Sequence, residues 1–158
     1  MSLKTKIGNI ELNTCIFNAS GVKCKTKEQL LNLNLCINVG AVLTKSCTFE
    51  SRVGNELPIY WDDGETHSIN SSGLPNMGFQ YYIDNVLTCK FNKPYFVSIS
   101  GMCEQDNLYI ISAILKSDTI SGIELNLSCP NIEGKSQIGY DFEAMHILLS
   151  KVDKLICG

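Results

Sequence analysis

The segment Asn126-Leu127-Ser128-Cys129-Pro130-Asn131 sets a thiol between two amide side chains, one three residues before it and one two residues after. A thiol becomes a base or a nucleophile when its pKa falls below the value of about 8.5 for free cysteine. Two amides supply both donors and acceptors, a set suited to a planar polar ligand. The chain holds only two histidines, His67 and His146. Neither stands near Cys129 in sequence, so proton abstraction is a better reading than the acyl transfer of a Cys–His pair. The plainer alternative is a cysteine used as a small buried apolar residue.

Three further segments could do chemistry. Lys45 ends an apolar run, either as a snorkelling lysine or as an ammonium facing a carboxylate or an electron-rich cofactor. Residues 68–76, Ser-Ile-Asn-Ser-Ser-Gly-Leu-Pro-Asn, form either an ordinary turn-rich loop or a wall that presents Asn70 and backbone amides to a flat ligand. Asn18-Ala19-Ser20-Gly21 is either a plain turn or a stretch small enough for a cofactor to approach the backbone. His67 reads as a loop residue and His146 as a helix-surface residue.

These groups must be held by regular elements. The apolar run from Ile120 to Leu127 reads as a strand, ended by Pro130, which cannot donate to a ladder. Cys15-Ile16-Phe17, Gly40 to Lys45 and Pro94 to Ser100 read as three more strands. Thr26 to Leu35 reads as a helix with Thr26 as N-cap. Glu104 to Lys116 reads as a second helix, with Leu108, Ile111 and Leu115 on one face. Asp141 to Leu155 reads as a third, with Met145, Leu148, Leu149 and Val152 inward. Residues 46–82 form a long connection rich in glycine and proline, of the kind that usually carries function or small extra elements.

Strands that alternate with helices predict a parallel α/β sheet. Reactive or polar residues fall at several strand ends: Asn18 to Gly21, Lys45-Ser46, Ser98 and Cys129. That pattern suits a (β/α)₈ barrel or a doubly wound sheet, both of which bind ligands at the C-terminal ends of their strands. No Gly-x-Gly-x-x-Gly follows the first strand, so the dinucleotide fingerprint is absent.

Composition narrows the classes. The 158 residues are 44% hydrophobic and 18% charged, with a net charge of −3, a globular balance without a basic block. Nucleic acid and acidic membrane surfaces are poor partners for such a chain. No signal peptide or membrane-spanning run is evident, which predicts a cytoplasmic protein. The eight cysteines form no Cys-x-x-Cys pair, which argues against a local zinc site and, with their wide spacing, against a disulfide framework.

Taken together, Asn126 to Asn131, Gly134-Lys135, Gln137 and Tyr140-Asp141-Phe142-Glu143 resemble the active-site loop of the dihydroorotate dehydrogenases, most closely the cytosolic, fumarate-linked class. Asn18 to Gly21, Thr44-Lys45-Ser46, Ser68 to Ser71 and Gly73 to Asn76 resemble that family's other motifs in the same order. The resemblance implies a (β/α)₈ barrel that carries FMN and oxidises dihydroorotate to orotate in pyrimidine biosynthesis, with fumarate as acceptor and a homodimeric assembly. It implies Cys129 as the base for the C5 proton, with hydride passing from C6 to the flavin, and Ser98 near the solvent relay. It implies Lys45, Asn70, Gly73, Leu74, Asn126 and Asn131 as substrate contacts. For the flavin it implies Ala19, Ser20, Gly21, Lys45, Ser46 and Asn126.

Three departures stand out. Ser72 replaces a common Met, Ile59 replaces a common Arg, and Trp61 to His67 runs slightly long. A complete barrel takes about 250 residues. The expectation for residues 1–158 is therefore the N-terminal half of a barrel, with the second flavin-contacting lysine and the phosphate loops in the other half. Such a half should hold FMN poorly and self-associate through its open sheet edges. Two other functions stay in view: a dihydropyrimidine-type flavin oxidoreductase, and a non-catalytic half-barrel that serves as an assembly module.

Overall fold

The computed structural model describes residues 3–132 and 137–157. The chain opens with an antiparallel hairpin, β1 (Thr5–Ile7) and β2 (Ile10–Leu12), which turns at Gly8 with φ +56°. Three parallel strands follow: β3 (Val42–Leu43), β6 (Tyr95–Ile99) and β7 (Gly122–Leu125), side by side in that order. Between β3 and β6 a second hairpin pairs β4 (Tyr60–Asp62) with β5 (Ser68–Asn70). Four α-helices, α1 (Lys27–Leu35), α2 (Phe79–Thr88), α3 (Glu104–Ile114) and α4 (Phe142–Cys157), and a short 3-10 helix (Ile138–Tyr140) complete the described elements.

The two faces of the sheet carry different residues, as the period of two requires. Tyr95, Val97 and Ile99 point to the helices. They join Leu30, Tyr82, Ile110, Ile111 and Ile114 in the main core. Each such side chain, fully buried, contributes about 1.5–3 kcal/mol. Phe96 points the other way and packs with Leu12, Ala41 and Leu43. The first hairpin therefore covers the inner face of the sheet near the start of its strands. Gly122 has a specific reason to be glycine: an added Cβ would lie 2.7 Å and 2.8 Å from atoms of the Phe96 ring.

The helix expected after Thr26 forms with a reciprocal capping box between Thr26 and Gln29. The expected strand over Cys15 to Phe17 does not form a ladder. Ile16 accepts one bond from Gly40 N–H at 2.8 Å, and then a side chain takes over. Asn18 Nδ2 donates to the Leu43 carbonyl at 2.7 Å, and Leu43 N–H donates to Asn18 Oδ1 at 3.0 Å. One amide side chain thus satisfies both backbone groups of a buried strand residue.

The expected strand over Gly40 to Lys45 is regular only at Val42–Leu43. Beyond it, Ser98 N–H donates to Thr44 Oγ1 and Lys45 N–H donates to the Cys24 carbonyl. Pairing with β6 resumes at Cys47 and Ile99. This break turns Lys45 and Ser46 away from the ladder.

Helix α2 was not expected. It starts at Gly78, without a side-chain cap or an acidic first turn, so no start signal marks it. Its buried residues Phe79, Tyr82, Ile83 and Val86 nevertheless keep helical spacing. Two helix faces also differ from expectation. In α3 the buried residues are Asn107, Ile110, Ile111 and Ile114, while Leu115 is exposed. In α4 only Leu148 is fully buried, and Leu149 is exposed.

Candidate functional site

A cleft of about 560 Å³ opens beyond the C-terminal ends of the parallel strands. Four segments line it. Ala19, Ser20 and Gly21 come from the turn after Asn18, and Lys45 and Ser46 from the break after β3. Asn70 and Leu74 come from the long connection, and Asn126, Cys129 and Asn131 from the loop after β7. Ten of the residues singled out from sequence therefore meet at one place. Two do not line it. Ser98 is fully buried beneath the cleft. Gly73 lies behind the wall, where an added Cβ would meet Asn55 Oδ1 at 2.2 Å. Gly134 and Lys135 lie outside the described residues.

Lys45 is half-buried, and its Nζ donates to the Ser20 carbonyl at 3.0 Å. Burial lowers its pKa from the ordinary lysine value, while negative charge at Cys24, Cys129 or Glu124 acts in the opposite direction. Lys45 and Cys129, the cation and the thiol, line the same cleft.

The chain's cysteines fall into different environments. Burial pushes the Cys24 thiol up to about 11, against the lowering effect of Lys45. Burial pushes Cys47 up to about 12, and its Sγ donates to the Ser98 carbonyl at 3.2 Å. Both are protonated core residues at neutral pH. Cys129 is half-buried and lines the cleft.

The amides are fixed by their own hydrogen bonds. Asn131 Nδ2 donates to Asn70 Oδ1 at 3.2 Å, and Ser72 Oγ donates to the same oxygen at 3.1 Å. With its oxygen committed, Asn70 has its Nδ2 to offer as a donor. Asn55 Nδ2 bridges the Ser71 carbonyl at 2.8 Å and the Asn131 carbonyl at 3.1 Å. Asn126 Oδ1 accepts from Ser128 N–H at 3.1 Å, while its Nδ2 donates to Ser46 Oγ at 3.3 Å. Ser98 Oγ lies 2.9 Å from Ser46 Oγ and donates to Glu124 Oε1 at 2.6 Å.

Sequence reasoning passed over Asn55, which ties two loops, and Glu124, which lies within the run read as a strand. The signal for Glu124 was its spacing: two residues before Asn126 on a strand means the same face. His67 is on the exposed hairpin, where its ring Nδ1 lies 2.9 Å from Asp63 Oδ2. His146 is exposed on α4. Among the described residues no cluster of ligating side chains suits a metal ion, and no helix is long and apolar enough to cross a membrane.

Residues 2–156 match the model of the family described as dihydroorotate dehydrogenase. A relative from Lactococcus lactis subsp. lactis strain IL1403, named dihydroorotate dehydrogenase A (fumarate), is 48% identical over 154 residues. The match covers 95% of this chain and 49% of that protein. The protein of the same name from Lactococcus lactis subsp. cremoris strain MG1363 is 47% identical over the same shares. The chain thus spans about half the length of the curated relatives it matches.

Two solved structures of the Eimeria tenella DHODH share the fold. The ligand-free form gives a TM-score of 0.77 at 17% identity, covering 99% of this chain and 46% of that one. The ferulenol complex gives 0.70 at 19%, covering 96% and 45%. The parallel strands and their helices correspond to part of a TIM-barrel enzyme, as expected from sequence. The chain belongs to the dihydroorotate dehydrogenase family and carries the half of its barrel that contains the Cys129 loop.

Proposed function

We propose that residues 1–158 form the N-terminal half of an FMN-dependent dihydroorotate dehydrogenase, which oxidises dihydroorotate to orotate in pyrimidine biosynthesis. The observation that carries this reading is the convergence of Cys129, Lys45, Asn70, Asn126 and Asn131 on one cleft. Fumarate as acceptor is supported by the name of the relatives; a homodimeric assembly and a cytoplasmic location are part of the same proposal and rest on the resemblance of the sequence motifs alone.

The cleft fits a flavin. Its Ala19-Ser20-Gly21 wall is small, and an added Cβ at Gly21 would meet nothing within 4 Å, so the space beside the backbone is open. Bound there, FMN would supply the hydride acceptor. The side chains supply the rest. Cys129 Sγ takes the proton from C5. The Lys45 ammonium, which donates to the Ser20 carbonyl, would be the cation available to the substrate carboxylate and to a bound flavin. Asn70 offers its free Nδ2, and Asn131 and Asn126 offer the remaining polar groups of the pocket. Gly73 and Leu74 follow Asn70 in the loop that forms this wall of the cleft, and Ser46 would be among the residues that hold the flavin. Ser98 serves below the cleft, bonded to the Ser46 hydroxyl and to Glu124, as a support and relay hydroxyl.

Asn131 stands against the dihydropyrimidine-type alternative, where a histidine would be expected after the proline. The retention of Cys129, Lys45, Asn70 and Asn126 stands against a non-catalytic assembly module. An anaerobic visible spectrum of the purified chain with FMN tests the reading. Bleaching of a bound flavin on addition of dihydroorotate is the expected result when the barrel is completed by a second half. A flavin that binds but stays oxidised with dihydroorotate, while a dihydropyrimidine bleaches it, would favour the alternative substrate.

A further inference from the structure

We infer that Asn55 is a positioning residue that tethers the loop carrying Cys129 and Asn131 to the loop carrying Asn70. Its consequence for a bound ligand rests on the proposed dehydrogenase reading. Asn55 Nδ2 donates to the Ser71 carbonyl at 2.8 Å and to the Asn131 carbonyl at 3.1 Å. Two carbonyl acceptors require the amide nitrogen at this place, and both of its hydrogens are used. Asn131 Nδ2 in turn donates to Asn70 Oδ1 at 3.2 Å, and Asn70 is the residue before Ser71. The contacts therefore form a closed circuit, from Asn55 to Ser71, Asn70, Asn131 and back. Asn70 and Asn131 line the cleft, whereas Asn55 is not among its lining residues. Asn55 thus acts through the two amides rather than on a ligand.

The backbone prepares this tether. Arg52 N–H donates to the Asn76 carbonyl at 2.9 Å, and Asn76 N–H returns a bond to Arg52 at 3.0 Å. Asn55 N–H donates to the Ser72 carbonyl at 3.1 Å. Gly54, at φ +100°, and Gly73, at φ +71°, let the two segments close on each other. An added Cβ at Gly54 would lie 2.5 Å from the Ser72 carbonyl oxygen, and one at Gly73 would lie 2.6 Å from Asn55 N. Residues 52–55 are therefore fixed along residues 72–76 by bonds that do not use the Asn55 side chain. The side chain adds the reach to Asn131, 76 residues further along the chain. The carbonyl it holds is two residues from Cys129, so the tether also restrains the loop of the thiol.

Amide hydrogen exchange of the full chain, read by peptide mass spectrometry, tests the tether without a ligand. Asn55 is exposed, so its truncation removes no core contact. Asn55→Ala should speed exchange in residues 126–132 by about threefold or more, the value of one hydrogen bond, and leave Tyr95–Ile99 unchanged. Asn55→Asp keeps the size but has no hydrogen to donate, so it should behave like Asn55→Ala. Unchanged exchange in residues 126–132, an equal rise at Tyr95–Ile99, or an Asp variant that matches wild type would each overturn the proposal. Should Asn55→Ala not fold, Asn55→Ser, which retains a single donor, is read by the same criteria. In the completed, flavin-loaded enzyme, Asn55→Ala should weaken orotate binding about threefold to tenfold with FMN content unchanged. The effect should shrink when Asn131→Ala is already present, because both act through one circuit of contacts. Full additivity, or unchanged orotate affinity, would overturn the positioning role. A wild-type enzyme that fails to bind orotate, while the exchange shift is present, keeps the tether and counts against the dehydrogenase reading. Orotate binding without an exchange shift does the reverse.

Discussion

Asn131 Nδ2 donates to Asn70 Oδ1 at 3.2 Å, so two loops 61 residues apart in sequence meet across the cleft through one amide–amide bond. The bond fixes the orientation of the Asn70 amide, which lines the cleft. Asn131→Ala should therefore weaken orotate binding to the flavin-loaded, completed enzyme by about fivefold to tenfold, the value of one hydrogen bond. Orotate titration followed by flavin absorbance checks this. Asn70→Ala should weaken it more, because the donor itself is lost.

Cys129→Ser should lower dihydroorotate oxidation at neutral pH by about 10² or more, because a serine hydroxyl gives up its proton far less readily than a thiol and so supplies far less of the anionic base. Flavin content should hardly change, because the loss is in proton abstraction. Single-turnover bleaching separates the two. A variant that bleaches at the wild-type rate would remove Cys129 from the base role.

Asn18→Ala should destabilise the fold by about 2–3 kcal/mol. It leaves the N–H and C=O of Leu43, a residue only 2% exposed, without their partner. Urea denaturation of the variant checks the magnitude. Asn18→Asp should recover only part, since a carboxylate accepts from Leu43 N–H but cannot donate to its carbonyl.

Gly122→Ala should cost about 1–3 kcal/mol, because the new methyl would sit well inside contact distance of the Phe96 ring. Phe96→Leu in the same chain should relieve part of the cost. Failure of that rescue in urea midpoints would place the strain elsewhere.

Stability should fall in alkaline solution. Burial raises Cys24 from 9.0 to about 11 and Cys47 from 9.0 to about 12. The unfolded chain releases these protons first, so it binds fewer protons than the native state above pH 9, and the free energy of unfolding declines as pH rises toward 11–12. Below pH 8 the two thiols contribute no slope. A Cys47→Ala variant should show a flatter decline between pH 9 and 11 in thermal melts.

Much of this arrangement was legible in the sequence because local rules and tertiary demands agree. Thr26 announces the start of α1, and the apolar run ending at Pro130 announces β7 and its reactive loop. Where the two disagreed, the reading failed. Helix α2 lacks a cap signal, and its glycine-rich approach masks the spacing of Phe79, Tyr82, Ile83 and Val86. Residues 15–17 have the composition of a strand, but Asn18 satisfies the neighbouring backbone with its side chain, which no period of hydrophobicity records. The cleft residues were identifiable by type and motif. Their mutual bonds, such as Asn70 to Asn131 or Ser98 to Glu124, depend on which loops the sheet brings together. Asn55 and Glu124 were missed for that reason.

The second hairpin has one further consequence. Tyr60 and Asn70 face each other across its register and both line the cleft, while every residue of its two strands is exposed. The chain's single tryptophan, Trp61, sits on this arm beside Tyr60 and is 58% exposed. Its emission therefore comes from an exposed hairpin that borders the ligand space through Tyr60 and Asn70. Indole fluorescence becomes a built-in optical reporter for this wall, readable in solution without a label and without contribution from any other tryptophan.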